Sequence, residues 1–145
     1  GGGRPAAVAP DGAGPEHAFE WPVRVYWEDT DGGGVVYYAN YLKFLERART
    51  EWLRSLGHSQ TALAVDPAIL FMVVNLQVEY LKPARLDDAL RVSCVAQRDG
   101  RVWMMVRQQI VRDDATREPL LNAEVRVACL DARTLRPRRI REFLA

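Results

Sequence analysis

The chain has 145 residues, 48% of them hydrophobic and 27% charged, with a formal net charge of +1. That length and composition predict one soluble globular domain. Near-balance of 20 basic and 19 acidic residues argues against a nucleic-acid surface or a polybasic membrane anchor. No apolar run reaches the roughly 18 residues a membrane helix needs.

Residues 1–18 are rich in Gly, Ala and Pro and read as a flexible tail without the pattern of a secretory signal. A cytoplasmic location is the expectation. The folded domain is expected over 19–132, with a basic tail over 133–145. Cys94 and Cys129 each lie in an apolar strand pattern, which favours buried free thiols over a disulfide or a metal pair. With only two histidines as well, a structural zinc site is disfavoured. No cofactor is expected.

The first strand is read from about Glu20 to Trp27, with Val23, Val25 and Trp27 on one face. A helix follows from Asn40, taken as its N-cap, to Leu56. Its apolar stripe is Tyr41, Leu45, Ala48, Trp52 and Leu56, widened by Phe44 and Leu53. Arg47 and Glu51 are spaced as an i,i+4 pair, and Gly57 suits the stop. At ~1.5 Å per residue the helix is about 25 Å long, enough to cross several strands.

His58 to Ala68 carries no clear pattern. Val74, Leu76, Val78 and Tyr80 then alternate with polar residues as a strand. Val92, Cys94 and Ala96 lead into Asp99-Gly100, a two-residue hairpin signal, and Val102, Met104, Val106 and Ile110 continue beyond it. The last strand places Leu121, Ala123, Val125, Val127 and Cys129 on one face. The layout is α+β: one strand, one long helix, then strands in meander style. One helix cannot cover both sheet faces, so a second subunit is expected to share the burden.

Asp29-Thr30-Asp31-Gly32-Gly33-Gly34 lies between the first strand and the helix. A glycine turn there can bring a carboxylate and helix-start N–H groups to one carbonyl or anion. A calcium loop fails because Gly33 takes the fifth position and Asn40 the twelfth. A phosphate loop fails because Val35-Val36 replaces Lys-Ser/Thr. An aspartyl-phosphate phosphatase needs a parallel doubly wound sheet, whereas strands follow strands here. Taken alone, such a turn is more often structural than catalytic.

The wider pattern changes that balance. The run from Asp31 to Tyr41, followed by Phe44-Leu45-Glu46, Ala48 and Arg49, resembles the 4-hydroxybenzoyl-CoA thioesterase family of hotdog-fold proteins. The likeness is strongest to the acyl-CoA thioesterases associated with the Tol–Pal system. Val78-Glu79-Tyr80, Pro83-Ala84-Arg85-Leu86 and Asp87-Asp88 are similar to that family too.

The resemblance implies a hotdog fold, a long helix wrapped by a curved antiparallel sheet. It implies homodimers or homotetramers with active sites between subunits. It implies hydrolysis of an acyl-CoA thioester. The alternatives are a non-catalytic acyl-thioester-binding or interaction module and a thioesterase acting on acyl carrier protein. Asp31 falls on the catalytic carboxylate, either nucleophile or general base. The backbone N–H of Tyr38 would polarise the thioester oxygen. Tol–Pal-associated members usually carry His where this chain has Tyr38, and hydroxybenzoyl-CoA enzymes carry Tyr. A backbone role survives that exchange. Gly34 in the loop, and Arg98 and Arg101 at the hairpin, are the expected substrate contacts. Neither His17 nor His58 follows a strand-to-helix turn, which disfavours a dehydratase of the same fold.

Overall fold

The structure is a computed structural model that describes residues 18–57 and 68–140. The expected N-terminal tail through His17, the segment holding His58, and Arg141 lie outside the described residues. The strands are β1 (Phe19–Arg24), β2 (Ile69–Tyr80), β3 (Ala89–Arg98), β4 (Trp103–Arg112) and β5 (Pro119–Asp131). They form one antiparallel sheet in the order β1-β3-β4-β5-β2, and helix α1 (Tyr41–Ser55), the one α-helix among the described residues, packs against it. This is the expected hotdog architecture. Among the described residues, no helix is long and apolar enough to cross a membrane.

Helix α1 buries Tyr41, Phe44, Leu45, Ala48 and Leu53, the stripe its spacing predicts. Phe44 and Leu45 are fully buried, each a gain of roughly 1.5–3 kcal/mol. Gly57 ends the helix at φ +92°, donating to the Arg54 carbonyl at 2.9 Å. Two expectations along α1 change. Glu51 pairs with Arg54 at 3.1 Å rather than with Arg47, whose guanidinium lies over the Phe44 ring. Leu56 is exposed, because the chain has left the helical path there.

Facing α1 from the sheet are Leu90, Val92 and Cys94 of β3, Met104, Val106 and Ile110 of β4, and the alternating apolar set of β5. Gln108 interrupts that face and is almost fully buried. Its amide donates to the Leu45 carbonyl at 3.0 Å and to Cys94 Sγ at 3.1 Å, and accepts from Arg49 at 2.9 Å. A buried amide so satisfied fixes the helix register on the sheet. Burial lowers the pKa of Arg49 and pushes the Cys94 thiol up to about 12. Both cysteines are buried and neither forms a disulfide among the described residues, as expected.

The meander holds only for β3, β4 and β5. Strand β2 does not hairpin onto β3; it pairs with β5, and β1 takes the free side of β3. The segment between β2 and β3 has other partners. Val36 donates to the Ala84 carbonyl, and Leu86 donates to the Gly34 carbonyl. Arg112 holds the same segment through the Pro83 carbonyl and the Asp88 carboxylate. A segment committed to those bonds cannot form a tight turn. The turn between β3 and β4 is also wider than two residues, closed by Asp99 N–H on the Trp103 carbonyl at 3.0 Å.

After β5 the side chains of 133–137 and 139 are exposed, but the backbone docks on the sheet up to residue 140. Arg138 donates to the Cys129 carbonyl, Ile140 donates to the Arg101 carbonyl, and Ile140 is buried.

Candidate active site

Strand β1 ends earlier than its alternation suggests. Trp27–Asp29 turn in a 3-10 helix because the Asp29 carboxylate accepts the N–H of Tyr26, the residue before it, at 2.8 Å. Trp27 therefore leaves the strand face and is 65% exposed. Asp29 is itself buried, and its carbonyl accepts the Tyr37 N–H at 3.0 Å and Asn40 Nδ2 at 2.9 Å. Asn40 stands where a cap would stand but makes no capping bond; its side chain ties the loop shut instead.

Between these two points the chain makes a narrow excursion. Thr30 and Val36 form an antiparallel bridge, and Asp31 N–H donates to the Val35 carbonyl at 3.0 Å. Gly32 and Gly34 both sit at φ +90°, where side chains are rarely tolerated. A Cβ on Gly33 would lie 3.1 Å from Asp31 Oδ1, the same oxygen to which the Gly33 N–H donates at 2.7 Å. So the glycines both permit the turn and let the backbone close on the carboxylate. Asp31 is exposed, and its second oxygen accepts no hydrogen bond among the described residues. The two aspartates thus divide: Asp29 builds the turn and Asp31 is presented from it.

Beyond the bridge, Tyr38–Asn40 form a 3-10 turn that runs directly into α1. Its first N–H, that of Tyr38, has no acceptor among the described residues. The Tyr38 carbonyl accepts the Tyr80 hydroxyl at 3.0 Å. Tyr37, Tyr38, Tyr41 and Tyr80 form a connected aromatic group over the turn. The neighbouring Tyr38 phenol raises the pKa of Tyr37, while burial raises those of Tyr41 and Tyr80, so these hydroxyls stay protonated near neutral pH.

Asp31, Gly34 and Tyr38 therefore share one loop. Arg98 and Arg101 do not join them. Strand β3 starts beside the loop at Ala89 and ends at Arg98, on the order of 30 Å away at ~3.3 Å per residue. At that far end Arg98 donates to the Ile140 carbonyl at 2.6 Å. Arg98, Arg101 and Arg139 line a cavity of about 260 Å³ there. Arg139 was hidden in the sequence as one of several arginines in an apparent tail; the isolated apolar Ile140 among them was the available sign of docking.

A hotdog-fold protein with a carboxylate displayed before a helix start is the class these features define. The thioesterase superfamily profile matches residues 33–118. An acyl-CoA thioester hydrolase, YbgC, of Escherichia coli is 48% identical over 121 residues, 83% of this chain and 87% of its own length. A solved structure of a probable thioesterase from Bartonella henselae superposes with a TM-score of 0.79 at 31% identity, covering 86% of this chain and 99% of that one. The 4-hydroxybenzoyl-CoA thioesterase of a Pseudomonas strain superposes at 0.76 and 19% identity, over 86% and 93% of the two chains, a likeness of fold alone. The chain belongs to the thioesterase superfamily and is, as such, a thioester hydrolase.

Proposed function

We propose that this enzyme hydrolyses an acyl-CoA thioester to the free acid and CoA, with Asp31 as nucleophile or general base. The observation carrying this reading is one loop that displays the Asp31 carboxylate and the acceptor-free Tyr38 N–H together. The N–H, at the positive end of α1, would take the thioester oxygen as it gains charge. Either Asp31 attacks the carbonyl carbon and water then cleaves the mixed anhydride, or Asp31 takes a proton from the attacking water. In both routes the C–S bond breaks and CoA leaves as the thiol. Gly34, whose N–H has no acceptor among the described residues, is a further substrate contact. The acyl-CoA thioester hydrolase activity for which the Escherichia coli relative is named supports the choice of substrate.

Arg98, Arg101 and Arg139 are proposed to hold CoA phosphates, in the site of a second copy. Among the described residues, strand β2 pairs with β5 alone and exposes Met72, Val73 and Val74. Two β2 strands paired antiparallel across a two-fold axis would set the arginine end of one copy beside the Asp31 loop of the other.

The test is thioester hydrolysis by wild type and Asp31→Asn across a panel of acyl-CoA and acyl-carrier-protein substrates. The exchange keeps size and polarity and removes the carboxylate. Full turnover by the variant would sink the assignment, and tight binding without cleavage by wild type would make the protein a binding module. Preference for carrier-bound acyl groups would replace CoA as the natural carrier.

A further inference from the structure

We propose that Tyr80 is a positioning residue, whose hydroxyl fixes the backbone at Tyr38 and so aims the Tyr38 N–H at the thioester carbonyl. The inference rests on the acyl-CoA reading above and adds to it a residue outside the loop.

The side chain of Tyr38 is held only at the surface: it meets the neighbouring Tyr37, and the residue is 63% exposed. The backbone turn that carries it is three residues long. First turns fray, because their leading N–H groups have no partner within the helix. An N–H that must polarise a carbonyl needs a fixed direction. Among the described residues, the Tyr80 hydroxyl supplies the side-chain hydrogen bond to the Tyr38 backbone, from a position 42 residues away in sequence.

The donor is on a firm base. Tyr80 pairs with Leu121 of β5, and its ring meets Tyr38 edge-on at 6.3 Å and Tyr41 at 5.7 Å. The Tyr41 hydroxyl in turn accepts the Ala84 N–H at 2.9 Å, next to the segment that binds the glycine loop. Core packing does not account for Tyr80, since 47% of it is exposed. Its hydroxyl nonetheless turns onto a backbone carbonyl at the helix start. A phenol is protonated, hence a donor, through the neutral range, and the partial burial of this ring raises its pKa further.

The experiment is Tyr80→Phe in the full chain, which keeps the ring and removes the hydroxyl. The expected result is a kcat lowered roughly five- to tenfold, the size of one lost hydrogen bond, with KM and melting temperature close to wild type. The alkaline limb of the pH profile should not move. Hydrogen exchange, which needs no substrate, should speed up at the amides of residues 38–41. Unchanged kcat, or unchanged exchange at those amides, would overturn the proposal. So would KM and melting temperature shifting along with kcat, which would mean a general structural role. Loss of the alkaline limb would overturn it as well, since Tyr80 would then be donating to the substrate. An inactive wild type would instead count against the acyl-CoA reading, while the exchange result would still decide Tyr80.

Discussion

The Asn40 side chain reaches back 2.9 Å to the carbonyl of Asp29, joining the helix start to the turn on the far side of the glycine loop. That single bond spans the loop that presents Asp31. It predicts that Asn40→Asp, which keeps a favoured capping residue but loses the donor, will harm the protein as much as Asn40→Ala. Each should cost about 1 kcal/mol in thermal or denaturant unfolding. If Asn40→Asp matched wild type, capping would be the role of this residue after all.

The glycines should separate by mechanism. Gly34→Ala places a side chain at φ +90° in open space and should cost about 1–2 kcal/mol of stability through backbone strain. Gly33→Ala has no such strain but sets a methyl 3.1 Å from the Asp31 carboxylate. It should lower kcat well beyond its effect on melting temperature. Steady-state kinetics beside thermal unfolding on both variants checks the contrast.

Arg101→Gln and Arg139→Gln should raise KM for acyl-CoA about tenfold each, the size of a lost charge-assisted bond. They should leave hydrolysis of short acyl-pantetheine thioesters, which lack the phosphates, unchanged. Arg98 is a poorer probe because it also holds the Ile140 carbonyl. Equal losses on both substrates would count against a phosphate role.

The protein should be an oligomer at micromolar concentration by light scattering. Val73→Lys, which puts a charge on the exposed part of the β2 edge, should shift it toward monomer and reduce activity in step. A wild-type monomer with full activity would remove the support for shared sites.

Acid should destabilise the fold. Lys82 and then Arg112 lower the pKa of Glu118, and backbone N–H groups of Thr134 and Arg133 lower that of Asp131. A carboxylate depressed on folding contributes stability above its unfolded pKa and loses it as pH falls through the folded value. The melting temperature should therefore decline from about pH 4.5 downward, and Lys82→Met should blunt the decline.

Much of this was legible in the sequence because it was local. The stripe Tyr41, Phe44, Leu45 and Ala48 and the alternation along β5 are read within a few residues. So was the loop, since Asp31 and its glycines are contiguous. What escaped depends on distant partners. Asn40 looks like a cap until Asp29 is folded beside it. The alternation through Trp27 gives no sign that the strand will stop three residues sooner, at Arg24, where the Asp29 carboxylate turns the chain. Strand β2 has the pattern of a strand beside β3, but the bonds of Ala84 and Leu86 to the glycine loop exclude that place. Tyr80 fitted the strand alternation, and nothing local says where its hydroxyl goes.

The strand order has a consequence for how the molecule is made. β3, β4 and β5 are joined by short connections and can assemble from nearby contacts, whereas β1 and β2 must arrive at opposite edges over long stretches of chain. The Asp31 loop follows β1, and Tyr80 ends β2. In a refolding experiment the sheet signal should thus rise before thioester hydrolysis returns, with the interval set by closure of the two outer strands.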